Sequence, residues 1–359
     1  MSEQVCIATH NGGRPASFGS VRIDSELNPI ARPTLTLPTG LDDGAPESHD
    51  EHSFGRLTGC GREHAYAVLS DDESIAQLTF DDLGNPLFVV VIEVTDVVAV
   101  ACAPSIDVVY VVSSSSAGGY LVVRSFLVDE DGQLTESDQL TVTYFGFLNY
   151  FYERARLAVH PISGELWLTG YFRDRFGGVV DQSLTARIAA DTSGVLTLAE
   201  QARDIGTGAG GLSFRFRADG RLLAATGVDG DCVAVWPVAD NGILPAFRDR
   251  SYSCGYVWDA GDVAWFRGSE RFHVLLQEEL RVGEPDGRAL SGDSGLLLTT
   301  RARLMESVYD SSGLVVVRQF SGHLHVYRVG EEPTDLALVD DLDIAERGIR
   351  SLTQIPCIP

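Results

Sequence analysis

A two-part motif that returns about seven times along the chain limits its fold more than any other feature. Each copy starts with a short apolar strand closing in a small or polar residue. CIATHN at Cys6–Asn11, YAVLS at Tyr66–Ser70, VYVVSS at Val109–Ser114 and LWLTG at Leu166–Gly170 are the first four. LLAATG at Leu222–Gly227, HVLLQ at His273–Gln277 and LVVVRQ at Leu314–Gln319 complete the set. After a loop, a second strand breaks at an Asp, Gly or Asn turn, as in VRIDSELNPI, LTFDDLGNPL, RSFLVDEDGQL and RIAADTSGVL.

Successive copies lie roughly 40 to 60 residues apart, room for four short strands with their turns, the size of a propeller blade. A solenoid coil needs about half that length, and the 3.6-residue period of helical repeats is missing. Val, Ile, Leu, Thr and Tyr fill the runs while Gly, Asp, Asn and Ser separate them, which is the composition of strands and hairpins. The expectation is therefore an all-β, single-domain fold over residues 1–359, a seven-bladed β-propeller. Residues 1–30 supply only three strands, so IRSLTQI at Ile349–Ile355 is expected to complete their blade from the other end of the chain. Such pairing closes the ring and removes an open sheet edge. The weakest copy is GEPDGRALSGDSGLLL, where the turn spacing is lost.

The alternation of an "lYv.t" strand with a "v.id..dG.L" hairpin resembles the seven-bladed lactonase-type propellers. These include 6-phosphogluconolactonase-like proteins and carboxymuconate cyclases, and the resemblance covers nearly the whole chain. It implies a hydrolase, cyclase or isomerase without a redox cofactor, acting on a lactone or carboxylate-bearing substrate. The family's Gly-Pro-Arg-His type segment is not matched by YERARLAVHP (Tyr152–Pro161) or SCGYVWDAGDVAWF (Ser253–Phe266). The family's catalytic residues are therefore not carried over.

Charge narrows the partners. A net charge of −24 opposes nucleic acid and anionic membrane, both of which are bound through basic patches. It fits a cationic protein partner or a salt-rich habitat. All 27 basic residues are Arg, so a Schiff-base lysine and a P-loop lysine are both excluded. GxSxG, HExxH, GxGxxG and Walker patterns are also missing, and the Gly292–Gly295 peptide GDSG has no upstream base segment to activate its serine. No apolar run is long enough for a membrane helix; the longest, PLFVVVIEV, reads as a strand. The start MSEQVC does not read as a signal peptide, so a cytoplasmic location is expected.

Six cysteines are scattered without zinc-site spacing. Cys60 and Cys102 fall in inner-strand patterns and are expected as buried thiols. Cys232 with Cys254 and Cys6 with Cys357 are conceivable pairs. In the acidic loop Thr39–Gly55, His49 and His52 are the weak candidates for a divalent cation, and solvation is the plainer reading. No cofactor is otherwise expected. At His160-Pro161 a structural role is the default.

In a propeller, the loops that enter each inner strand build one mouth of the channel, and function tends to sit on such loops. The candidate rim here mixes aromatics, Arg and carboxylates. His10, Asn11 and Arg14 come from the first between-strand loop, and Tyr144–Arg156 is the densest aromatic stretch. Glu153 is the candidate acid/base, Arg154 and Arg347 the anion clamps, and His10 an alternative base. Tyr152, Trp258, Asp259 and Glu306 are the candidate ligand-binding residues beside them. The plainer alternative places such aromatics and Arg–Glu pairs between blades, with a non-catalytic scaffold docking a protein partner as the second functional class.

Overall fold

A computed structural model describes residues 5–11, 17–24, 26, 28–37, 57–60, 64–69, 74–114, 120–143, 150–174, 179–204, 213–226, 233–239, 250–252, 260–266, 269–276, 279–285, 290, 296–297, 302–307, 314–319, 323–332, 335–343 and 349–356. The described strands form seven antiparallel sheets, a β-propeller arrangement without helices. Contacts divide the chain into two units, Met1–Val94 with Gly261–Pro359, and Thr95–Ala260.

In the first unit, β1 (Val5–Asn11), β2 (Ser17–Ile23), β3 (Pro29–Ala31) and β4 (Leu35–Thr36) begin one sheet. The next sheet is β5 (Leu57–Cys60), β6 (His64–Val68), β7 (Ser74–Phe80) and β8 (Pro86–Glu93). The second unit holds three sheets of four strands. They are β9 (Val97–Ala103) with β10 (Val108–Ser114), β11 (Tyr120–Val128) and β12 (Leu134–Thr143); β13 (Tyr150–Val159) with β14 (Leu166–Asp174), β15 (Val179–Ala190) and β16 (Leu196–Asp204); and β17 (Phe214–Phe216) with β18 (Leu222–Thr226), β19 (Val233–Pro237) and β20 (Arg250–Tyr252).

The first unit resumes with β21 (Ala260–Trp265), β22 (Phe272–Leu276), β23 (Glu279–Gly283) and β24 (Leu296–Leu297). Then come β25 (Ala302–Ser307), β26 (Leu314–Gln319), β27 (His323–Val329) and β28 (Leu336–Asp343). Finally β29 (Ile349–Pro356) pairs with β1, so the two ends of the chain share one sheet, as the missing inner strand requires.

Local sequence explains the hairpins. At four third-to-fourth-strand turns an Asp carboxylate accepts hydrogen bonds from the backbone two and four residues on. Asp81 Oδ1 accepts from Leu83 N (2.9 Å) and Asn85 N (2.8 Å), and Asp191 Oδ1 from Ser193 N (2.8 Å) and Val195 N (3.0 Å). Asp129 repeats this with Asp131 and Gln133, and Asp24 with Glu26 and Asn28. Gly84, Gly132 and Gly194 take φ of 81°, 75° and 79° there, a conformation that costs other residues a Cβ clash.

Cores lie between neighbouring sheets. In the second unit Tyr110, Val112, Leu121 and Val123 of one sheet pack on Leu166, Leu168, Ala186 and Ile188 of the next. Trp167, Phe214, Leu223 and Trp236 fill the following gap. In the first unit Ala8 and Phe18 pack with Ala65, Ala67, Ala76 and Leu78. Each fully buried large apolar side chain contributes about 1.5–3 kcal/mol.

Polar latches recur between the same sheets. Ser20 Oγ donates to Gly84 O, and Ser125 Oγ donates to Gly194 O (2.5 Å), so equivalent third-strand serines grip equivalent turns of the next sheet. Tyr110 donates to Gly164 O at 2.7 Å, and burial raises its hydroxyl pKa further.

The cysteine expectation is corrected. Cys60 and Cys102 are buried but are not thiols: both are disulfide-bonded, and no described cysteine is free. Their burial on inner strands led to the thiol reading, because local pattern carries no information on what a sulfur meets across the fold.

Candidate functional site

Four of the innermost strands share one irregularity. In β13, Tyr152 pairs with Phe172 and Arg154 with Tyr171, leaving Glu153 as an extra residue in a β-bulge. In β25, Ala302 pairs with Gln319 and Leu304 with Arg318, so Arg303 is the extra residue. In β29, Ile349 pairs with Asn11 and Ser351 with His10, so Arg350 is extra. In β9, Val98 is skipped in the same way between Val97 and Ala99.

All four bulges stand at the N-terminal end of an innermost strand, opposite the end of the second strand. That end of the second strand is where the sequence motif closes in a small or polar residue. A bulge bends its strand and re-aims a side chain, and bulges concentrate at strand ends and beside functional sites. Three of the four extra residues are charged: Glu153, Arg303 and Arg350.

Each unit thus sets its own chemistry at this level. In the second unit, β13 lies beside β9 and β17, with Tyr152, Glu153 and Arg154 consecutive across the bulge. A carboxylate followed by a guanidinium supplies a proton acceptor and an anion-stabilising group on adjacent residues. In the first unit, β29 lies beside β25 and β5. Arg303 and Arg350 occupy the same bulge position on neighbouring strands, and His10 and Asn11 flank the second of these bulges from β1. Glu306 sits three residues further along β25. Two arginines at matched positions are suited to a carboxylate or phosphate.

Of the residues predicted from sequence, Glu153, Arg154, Tyr152, His10, Asn11 and Glu306 are placed on these strands. Arg14, Trp258, Asp259, Arg347, His49 and His52 lie outside the described residues, as do most of Tyr144–Tyr150 and the GDSG peptide. Arg303 and Arg350 belong to the rim connections but were not among the clamps named from sequence. The signal that marks them is pairing register against a partner strand, which no local pattern contains.

Other polar clusters tie strands together. The Arg187 guanidinium reaches Glu165 (3.3 Å) and Glu200 (4.0 Å) and lies 6.0 Å from the Trp167 ring. Arg271 joins Glu284 (2.8 Å) to Glu332 (2.5 Å) across two sheets of the first unit. Arg187 thus ties strands within one sheet, and Arg271 ties two neighbouring sheets.

His160 is structural: Nδ1 accepts from Ser163 N (3.1 Å), and Nε2 lies 3.1 Å from Gly220 O in the next sheet. On β27 and β28, His323 Nδ1 lies 2.8 Å and His325 Nε2 3.4 Å from Asp341 Oδ1. The Tyr327 hydroxyl and His325 Nδ1 are hydrogen-bonded at 3.0 Å. Burial, with Asp341 nearby, pushes the Tyr327 hydroxyl up to about 12. Among the described residues no three His, Cys, Asp or Glu side chains are arranged to hold a metal ion. No described helix is long and apolar enough to cross a membrane.

No family model matches the chain, and no curated protein does. Solved structures match along its whole length at low identity. A Lactobacillus plantarum protein is 16% identical at a TM-score of 0.65, covering 98% of this chain and 99% of its own. A provisionally named 6-phosphogluconolactonase of Bacteroides fragilis is 15% identical at 0.69, covering 98% of each chain. Another, of Bacteroides uniformis, is 14% identical at 0.70, covering 98% of this chain and 100% of its own. At such identity the likeness establishes the fold alone, a β-propeller.

Proposed function

We propose that the protein binds a small, carboxylate-bearing organic molecule and acts on it as a cofactor-independent hydrolase, cyclase or isomerase, with a lactone as the substrate of first choice. The observation that carries this reading is the charged bulge residue at the entry end of innermost strands, above all Glu153 with Arg154 beside it. In a lactone hydrolysis, Glu153 takes the proton of the attacking water as that oxygen bonds to the carbonyl carbon. Arg154 meets the negative charge that develops on the carbonyl oxygen, and the ring C–O bond then breaks with return of the proton to the leaving oxygen. In the other unit, Arg303 and Arg350 on neighbouring strands, with His10 beside them as the alternative base and Arg347 named from sequence, form a separate candidate site for a carboxylate. Two of the similar solved structures, both of Bacteroides, bear the name 6-phosphogluconolactonase, and that name supports the reaction class.

The test is a panel of lactones assayed with wild type, Glu153→Gln and the double variant Arg303→Met, Arg350→Met. Glu153→Gln is expected to lose about 10²–10⁴-fold in kcat, the usual worth of a general base. The arginine variant tests the other unit separately and is expected to weaken binding of a small carboxylate, read by calorimetry. Equal rates in wild type and Glu153→Gln would sink the role of Glu153. Absence of turnover throughout would favour the non-catalytic scaffold.

A further inference from the structure

The bulges differ in what they present. Glu153, Arg303 and Arg350 are charged, whereas β9 offers Val98 at the same position. β9 lies beside β13 within the second unit, so the apolar bulge residue neighbours the strand that carries Glu153. Val98 is half-buried: it packs on the core between the β9 and β13 sheets and keeps part of its surface open.

Nothing on β9 offsets this apolar character. The strand reads VVAVACA, with Val97 and Ala99 fully buried on either side of the bulge. The connection entering β9 supplies exposed Thr95 and Asp96 and no cation. Asp96 is a second carboxylate, two residues ahead of Val98, and it disfavours an anion on this flank. On the other flank, β17 is preceded by Ser213, which is buried and donates its backbone N–H to Thr226 Oγ1 at 2.8 Å.

We propose that Val98 determines the specificity of the Glu153 site, as an apolar wall that selects a neutral lactone with an alkyl substituent over a polyhydroxylated one. This rests on the reading of Glu153 as the acid/base. An alkyl group placed against the Val98 methyls leaves water without losing any hydrogen bond. Sugar hydroxyls placed there would lose water and find hydrocarbon, which is costly for each unpaired group. The arginine pair of the other unit has the opposite character, so matched bulge positions serve different ligand chemistry.

Hydrolysis of γ-nonalactone and of ribono-γ-lactone by the full chain tests this, because the two share a ring and differ in substituents. The expected kcat/KM for γ-nonalactone is about tenfold or more above that for ribono-γ-lactone. Val98→Thr exchanges one methyl for a hydroxyl and is expected to shrink that ratio about tenfold, while Val98→Ile is expected to keep it. Val98→Ala replaces the Thr variant should the latter disturb the circular dichroism spectrum. A general loosening of the fold lowers both rates together, so the ratio reads the wall itself. A wild-type preference for the hydroxylated lactone, or a ratio that the Val98 variants leave unchanged, would overturn the wall and leave Glu153 in its role. Calorimetry in the Glu153→Gln background covers the reverse case. Binding of γ-nonalactone that Val98→Thr weakens about tenfold upholds the wall even where wild type shows no turnover. Absence of both binding and turnover overturns it.

Discussion

Gly220 sits so close to the His160 ring that an added Cβ would lie 2.5 Å from Nε2, and its φ is +70°. Both facts bar a side chain there, and the Gly220 carbonyl is also the His160 partner in the next sheet. Gly220→Ala is therefore expected to cost about 1–3 kcal/mol, from left-handed strain together with displacement of the imidazole. Urea denaturation measures this, and a change below about 0.5 kcal/mol would refute the tight fit. Glu153 is the functional counterpart at this scale. Its nomination rested on an aromatic, Arg-rich stretch, and the structure adds that it is the surplus residue of a bulge. Sequence could nominate the residue because composition is local. It could not place Arg303 and Arg350 at bulges, because a bulge exists only relative to a partner strand.

At the scale of elements, the turns were the most legible part of the chain. Asp24, Asp81 and Asp191 each collect backbone hydrogen bonds that stabilise the ionised form, and their pKa values are lowered. The leading cause is the Asn28 backbone for Asp24, the Asn85 side chain for Asp81 and the Ser193 side chain for Asp191. A carboxyl depressed in the folded state stabilises it above the unfolded pKa of about 4, and that contribution is lost as pH falls through the lowered value. Thermal stability is therefore expected to hold from neutral pH down to about 4 and to drop below it. The drop should be shallower in the triple Asn variant of these three aspartates, which begins from a lower plateau. Parallel pH profiles of Tm for the two proteins would refute the linkage. Edges belong to this scale too. PLFVVVIEV announced a strand through its β-rich composition, but only sheet order made it the outermost strand of its sheet.

For the whole molecule, the pairing of β29 with β1 joins the ends of the chain in one sheet. Cys60 and Cys102, on the innermost strands of two sheets, are held in disulfides. Such bonds limit the unfolded chain and typically contribute about 2–4 kcal/mol each, and they persist in oxidising surroundings. Reduction under native conditions is expected to lower Tm by several degrees, as about 2–4 kcal/mol implies for a chain of this size. Alkylation of the unfolded, unreduced protein should leave Cys60 and Cys102 unmodified in mass spectra. Labelling of both would return them to thiols.

The repeat alone was enough for the all-β architecture, the hairpin turns and the shared terminal sheet. Strand alternation, turn residues and copy spacing are properties of neighbours along the chain, and each copy states them again. Bulge register, disulfide state and sheet order were decided by the tertiary structure. Each depends on which distant segments meet and in what alignment, and many sequences with the same local periodicity would meet differently.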